Sequence, residues 1–85
     1  MTNDMKISRK DRAMLGRLAL LTAETALNTY AQRYESNPKH RDNRVYLVCA
    51  DLNLRCAEEN GIDTAGLRAR LNLFERRDYR HLQGS

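Results

Sequence analysis

The sequence predicts an all-α protein, either a small three-helix bundle or a helical hairpin carrying a third helix, that forms a dimer. Three observations lead there. Apolar residues recur at steps of three and four along most of the 85-residue chain. Helix-capping residues, Ser8 and Asp63, open two segments, and Pro38 and Gly61 each close one. No segment offers a β-strand a partner to pair with.

The first helix spans about residues 9–34. Ser8 can cap it, and Asp11 three residues on reaches back toward the positive end of the helix dipole. Ala13, Gly16, Leu20, Ala23, Leu27, Tyr30 and Tyr34 then follow a 3-4-3-4-3-4 spacing, which makes one continuous seam. Gly16 costs about 1 kcal/mol relative to alanine in such a helix. Ser36-Asn37-Pro38 ends it, because proline disfavours helix at the residue before it and cannot donate its own amide.

The second helix spans about 42–60. Val45-Tyr46-Leu47-Val48 has strand-like composition, but Val45, Cys49, Leu52 and Cys56 recur at four, three and four, a pattern that a strand would scatter over both faces. Gly61 suits the left-handed residue after the helix, with Ile62 folding back on the last turn. Asp63 caps a third helix over about 64–77, where Leu67, Leu71 and Phe74 repeat the four-three step. A single domain over residues 1–85 is expected, with 1–7 and 78–85 as loose polar ends.

Composition narrows the class. A chain that is 41% hydrophobic and 31% charged is neither a disordered tail nor a membrane protein. Residues 1–10 lack the apolar segment of a secretion signal, so a cytoplasmic location is expected. The net charge of +4 allows nucleic acid as a partner without demanding it, since the cations are interleaved with eleven acids. Cys49 and Cys56, seven residues apart on a helix, sit roughly 10 Å from each other, too far for a disulfide. They read as buried apolar residues in a reducing compartment.

Two helices carry more apolar surface than one seam needs. On the second, Leu47, Ala50, Leu54 and Ala57 lie opposite the Val45–Cys56 seam. On the first, Met14, Leu18 and Leu21 face away from the Leu20–Leu27 seam. A helix that is apolar on two faces must be covered on both. Either the second helix is sandwiched between its neighbours, or Met14, Leu18, Leu21, Leu47 and Leu54 form a surface for a helix from a second copy or another protein.

The stretch from Ala57 to Phe74 resembles the helix-turn-helix of the Fis-type bacterial DNA-binding proteins. The likeness rests on a small residue (Ala57) four before the turn Gly61, then Ile62, the cap Asp63, and Leu67 and Leu71. It covers about a quarter of the chain. The resemblance implies that Thr64, Ala65, Arg68, Ala69 and Asn72 face the major groove, with Arg70, Arg76 and Arg77 near phosphates. Asn60, Asp63 and Gly66 depart from the family pattern. An ordinary helical hairpin with a glycine cap accounts for the same positions.

Catalytic machinery is not expected. No glycine-rich phosphate loop is present, and Glu58 and Glu59 diverge on their helix. His40 lies in the Pro38 turn and His81 in the tail, both read as solvated. The expected function is therefore that of a small non-catalytic regulator acting by protein–protein contact, in the manner of an accessory or inhibitor protein of a phage or mobile element. It needs no cofactor or metal and has no membrane or small-molecule partner. A Fis-like DNA-binding regulator is the alternative.

Overall fold

The computed structural model describes residues 8–84, with side chains as far as Asp78. Three helices follow in order, α1 (Arg9–Ser36), α2 (Asn43–Glu59) and α3 (Ala65–Gly84), and the described residues include no strand. The start of α1 is as expected, with the Asp11 amide donating to Ser8 Oγ at 3.2 Å. The end of α2 closes in a Schellman motif. Ile62 N–H donates to the Ala57 carbonyl and Gly61 N–H to that of Glu58, both at 3.0 Å, with Gly61 at φ +81°. Asp63 Oδ1 accepts the Ala65 amide at 3.0 Å and so caps the first turn of α3. Asn43 opens α2 from inside the protein. Its amide donates to the Asn37 carbonyl at 2.9 Å, and its oxygen accepts from Arg33 Nε at 3.4 Å, which ties the connection to both helices.

α1 and α2 form a closely packed antiparallel hairpin. Ala19, Ala23 and Ala26 of α1 and Ala50 and Ala57 of α2 are buried, so the helices approach on methyl groups, with Leu27, Tyr30, Leu47 and Leu54 filling the gaps. The expected α1 seam is therefore inside. α2, however, is turned the other way from the expectation. Leu47, Ala50, Leu54 and Ala57 face the core, whereas Val45 and Leu52 are exposed and Cys49 and Cys56 only half-buried. Both stripes of α2 are apolar, so hydrophobicity alone does not choose between them. Volume does: the small residues Gly16, Ala19, Ala23 and Ala26 of α1 give room for the alternating leucine and alanine of α2, a fit that Val45, Leu52 and two cysteines cannot make as closely.

α3 packs on this hairpin through Leu71, which is fully buried, and through Leu67 and Phe74. It also runs on to Gly84, beyond the Arg77 at which it was expected to fray. At the expected end, a clamp joins the C-terminal part of α1 to α3. The Tyr30 hydroxyl donates to buried Asp78 Oδ1 at 3.2 Å, the Tyr30 and Phe74 ring centroids are 5.1 Å apart, and Arg77 lies 4.1 Å over the Tyr34 ring. Burial, with the Asp78 carboxylate beside it, raises the Tyr30 phenol well above its ordinary range. The expected loose segment 1–7 lies outside the described residues, as does Ser85.

Gly16 lets the α2–α3 turn dock on α1. A Cβ at this position would lie 2.6 Å from Ile62 Cγ1 and 3.1 Å from Asn60 Cβ. Gly16→Ala should therefore lower stability by about 1 kcal/mol or more, although alanine is favoured over glycine in a helix by a similar amount. Thermal unfolding followed by circular dichroism measures the sign. A higher midpoint in the variant would mean that the turn is not seated on α1.

Candidate functional site

The five residues expected to form a protein-binding surface do not stay together. Met14, Leu18 and Leu21 are exposed on the outer side of α1, at 53%, 57% and 58%. Leu47 and Leu54 are instead core residues, a direct result of the rotation of α2, and they leave the surface set. Val45, Val48 and Leu52 take their place as the exposed apolar residues of α2. Sequence reasoning had Val45 and Leu52 on a buried seam and left Val48 unassigned. The signal that could have reversed it was the alanine content of the competing stripe.

A groove of about 380 Å³ runs between α1 and α2. Leu18, Leu21, Thr22 and Thr25 line its α1 wall, Tyr46 and Cys49 its α2 wall, and Ala26 and Thr29 complete it. No α3 residue contributes, so the groove opens on the side of the hairpin that α3 leaves uncovered. Thr22 and Thr29 return their hydroxyls to the carbonyls of Leu18 and Thr25, both at 2.9 Å. Their methyl groups are then left to face the groove, which makes its wall more apolar than the residue types suggest. On α2, Val45 and Leu52 flank Cys49 one turn to either side and continue the apolar strip.

The candidate DNA-reading residues are largely engaged inside the protein. Thr64 is buried and donates its hydroxyl to Glu58 Oε2. Arg68 makes a two-toothed contact with Glu58, Nε to Oε2 at 3.1 Å and Nη2 to Oε1 at 3.0 Å. Its Nη1 also reaches Asp51 Oδ1 at 2.6 Å, and Asp51 holds Arg55 at 3.1 Å as well. Arg70 lies over the Phe74 ring at 5.2 Å, and Arg77 over Tyr34 and Phe74. Ala65, Ala69, Asn72 and Arg76 are exposed. The structure therefore does not bring the resemblance-derived set together as a free basic face.

Cys49 and Cys56 are free thiols, and neither is fully buried as expected. Each is covered by the asparagine one turn on. Asn53 Nδ2 donates to the Cys49 carbonyl at 2.8 Å with Cys49 Sγ at 3.5 Å, and Asn60 repeats the pattern on Cys56 at 2.8 and 3.8 Å. Among the described residues no three His, Cys, Asp or Glu side chains come together to hold a metal ion, and no helix is long and apolar enough to cross a membrane.

The hydrogen bonds from Arg68 and Thr64 hold the Glu58 carboxyl below its ordinary range. A group whose folded-state value is lowered contributes stability that is present above the unfolded value. That stability fades as the pH falls through the folded one. Arg68→Ala should thus destabilise by about 1 kcal/mol at neutral pH, and its difference from wild type should shrink on acidification below about pH 4. Urea unfolding at pH 7 and pH 3 tests this. An equal deficit at both would show that Arg68 acts through packing alone.

Compared with models of known protein families, with curated proteins and with solved structures, the chain shows no significant match to any of them.

Proposed function

We propose that the chain is a non-catalytic regulator that works by binding another protein through the apolar face of α1 and α2. One observation carries this reading. The described core contains five large apolar side chains (Leu27, Tyr30, Leu47, Leu54 and Leu71) and five alanines, while eight large hydrophobic residues are exposed. Burying one such side chain stabilises by about 1.5–3 kcal/mol, so leaving these eight wet is costly unless a partner covers them. Seven of the eight, all but Leu73, lie on α1 and α2 outside the core cluster, among them Met14, Leu18, Leu21, Val45, Val48 and Leu52. Leu18 and Leu21 line the groove between the two helices, and an apolar groove is the usual form of a site that takes a partner's helix.

The engaged state of Arg68 and Thr64 argues against the Fis-like alternative. A recognition helix needs its polar side chains free for base edges, and here the leading arginine neutralises Asp51 and Glu58.

The test is capture from the native host by the tagged full-length protein, with and without nuclease, followed by titration of the purified captured protein. Val45→Lys with Leu52→Lys alters exposed positions, so circular dichroism should be unchanged while affinity falls at least about tenfold. Capture abolished by nuclease, with binding to duplex DNA that weakens steeply with salt, would replace this reading with the DNA-binding one.

A further inference from the structure

We infer that the outer seam of α1 takes a second copy of the same helix, packed antiparallel, and that Arg17 and Glu24 set its register. The inference deepens the protein-contact reading and rests on it, by naming the occupant of the α1 part of that face.

The seam is Met14, Leu18, Leu21 and Thr25, spaced at four, three and four, which is the spacing of the contact positions of a coiled coil. Taking Leu18 and Leu21 as the two heptad contact positions a and d, the intramolecular core of α1 falls on the other side of the helix. Gly16, Ala19, Leu20, Ala23, Ala26, Leu27 and Tyr30 all occupy positions b, c and f. α1 is therefore two-faced along the same turns, one face filled by α2 and α3 and one left exposed among the described residues.

The seam complements itself when turned end for end. In an antiparallel pair whose contact layers are Leu18 against Leu21 and Met14 against Thr25 of the other copy, each layer occurs twice by symmetry. The flanking positions then match. On one flank Arg17 meets Glu24 of the other copy, and Glu24 meets its Arg17, giving two opposite-charge contacts. On the other flank Leu15 meets Thr22, also twice. Arg17 and Glu24 are exposed, and neither belongs to an ion pair among the described residues, so both are open to an intermolecular one. A parallel pair lacks this match, because Arg17 would then meet Thr22 of the other copy and Glu24 its Thr29. The seam is short, about 16 Å from Met14 to Thr25. A contact of that length supports association in the micromolar range rather than an obligate dimer.

Sedimentation equilibrium of the full chain measures the association. The wild type should dimerise at concentrations of about 100 µM or below. Arg17→Glu alone places two like-charge acidic contacts in the pair, and Glu24→Arg alone places two basic ones. Each should weaken self-association by roughly tenfold or more. Mixing the two variants restores both attractive contacts, so a heterodimer should form at near wild-type affinity although neither variant pairs well with itself. The substituted positions are exposed, and monomer helicity should stay constant. A monomeric wild type at this concentration, single variants that associate as well as wild type, or a mixture that does not recover would each overturn the inference. Val45→Lys with Leu52→Lys should leave this dimer intact. Loss of the dimer therefore leaves partner capture by α2 to stand or fall separately.

Discussion

The close approach of α1 and α2 on alanine is the constraint from which the rest of the structure follows. Five alanines at the contact bring the two backbones near enough for Leu27, Leu47 and Leu54 to be fully enclosed between them. An 85-residue chain has little apolar surface to bury, so it gains most by packing what it has at high density. The same choice limits the core, because a methyl group contributes far less on burial than a leucine side chain. A tight but thin interior and a wet apolar exterior are two results of one geometric decision.

The rotation of α2 that this contact selects also places its charges. With Leu47 and Leu54 inward, Asp51 and Glu58 lie on the flank facing α3, where Arg68 reaches both. Arg68 is about a quarter exposed, so these contacts are only partly screened by water and carry more weight than surface pairs. They fix α3 along the hairpin at one end, while Tyr30, Phe74, Asp78 and Arg77 fix it at the other. Between the two clamps the apolar contact of α3 is modest, with Leu71 its fully buried large residue. α3 is held as much by directional polar and aromatic contacts as by hydrophobic area.

Much of the fold was legible in the sequence because its punctuation is strong. Ser8, Pro38, Gly61 and Asp63 mark helix ends through local hydrogen bonding and φ preference, which depend on a few neighbouring residues. The α1 seam was legible because its three-four spacing runs unbroken from Ala13 to Tyr34, whereas the outward Met14, Leu18 and Leu21 cover only the N-terminal half. The facing of α2 was not, since both of its stripes are apolar and the deciding quantity, interhelical volume, belongs to a pair of helices. The end of α3 was missed for a related reason. Tyr30 and Asp78 are 48 residues apart, and nothing near Asp78 announces a buried acceptor. Gly16 read as a helix defect because its reason, the Ile62 side chain, arrives from the other end of α2.

The misread facing of α2 bears directly on the candidate site. An apolar residue on a two-faced helix is equally a core residue or a docking residue until its partner helix is placed, so Leu47 and Leu52 exchanged roles together. On α1 the ambiguity was smaller, and Met14, Leu18 and Leu21 kept their place on the surface. That asymmetry follows from the chain's economy of large residues. α1 presents alanine and glycine inward and leucine and methionine outward over its N-terminal half, the reverse of what a helix serving one core would do. Small residues inward let α2 and the Gly61 turn settle close, while larger ones outward keep apolar area available after the monomer has folded. A monomer built this way folds with its three helices formed and apolar area left over, which is the physical condition for reversible association without unfolding.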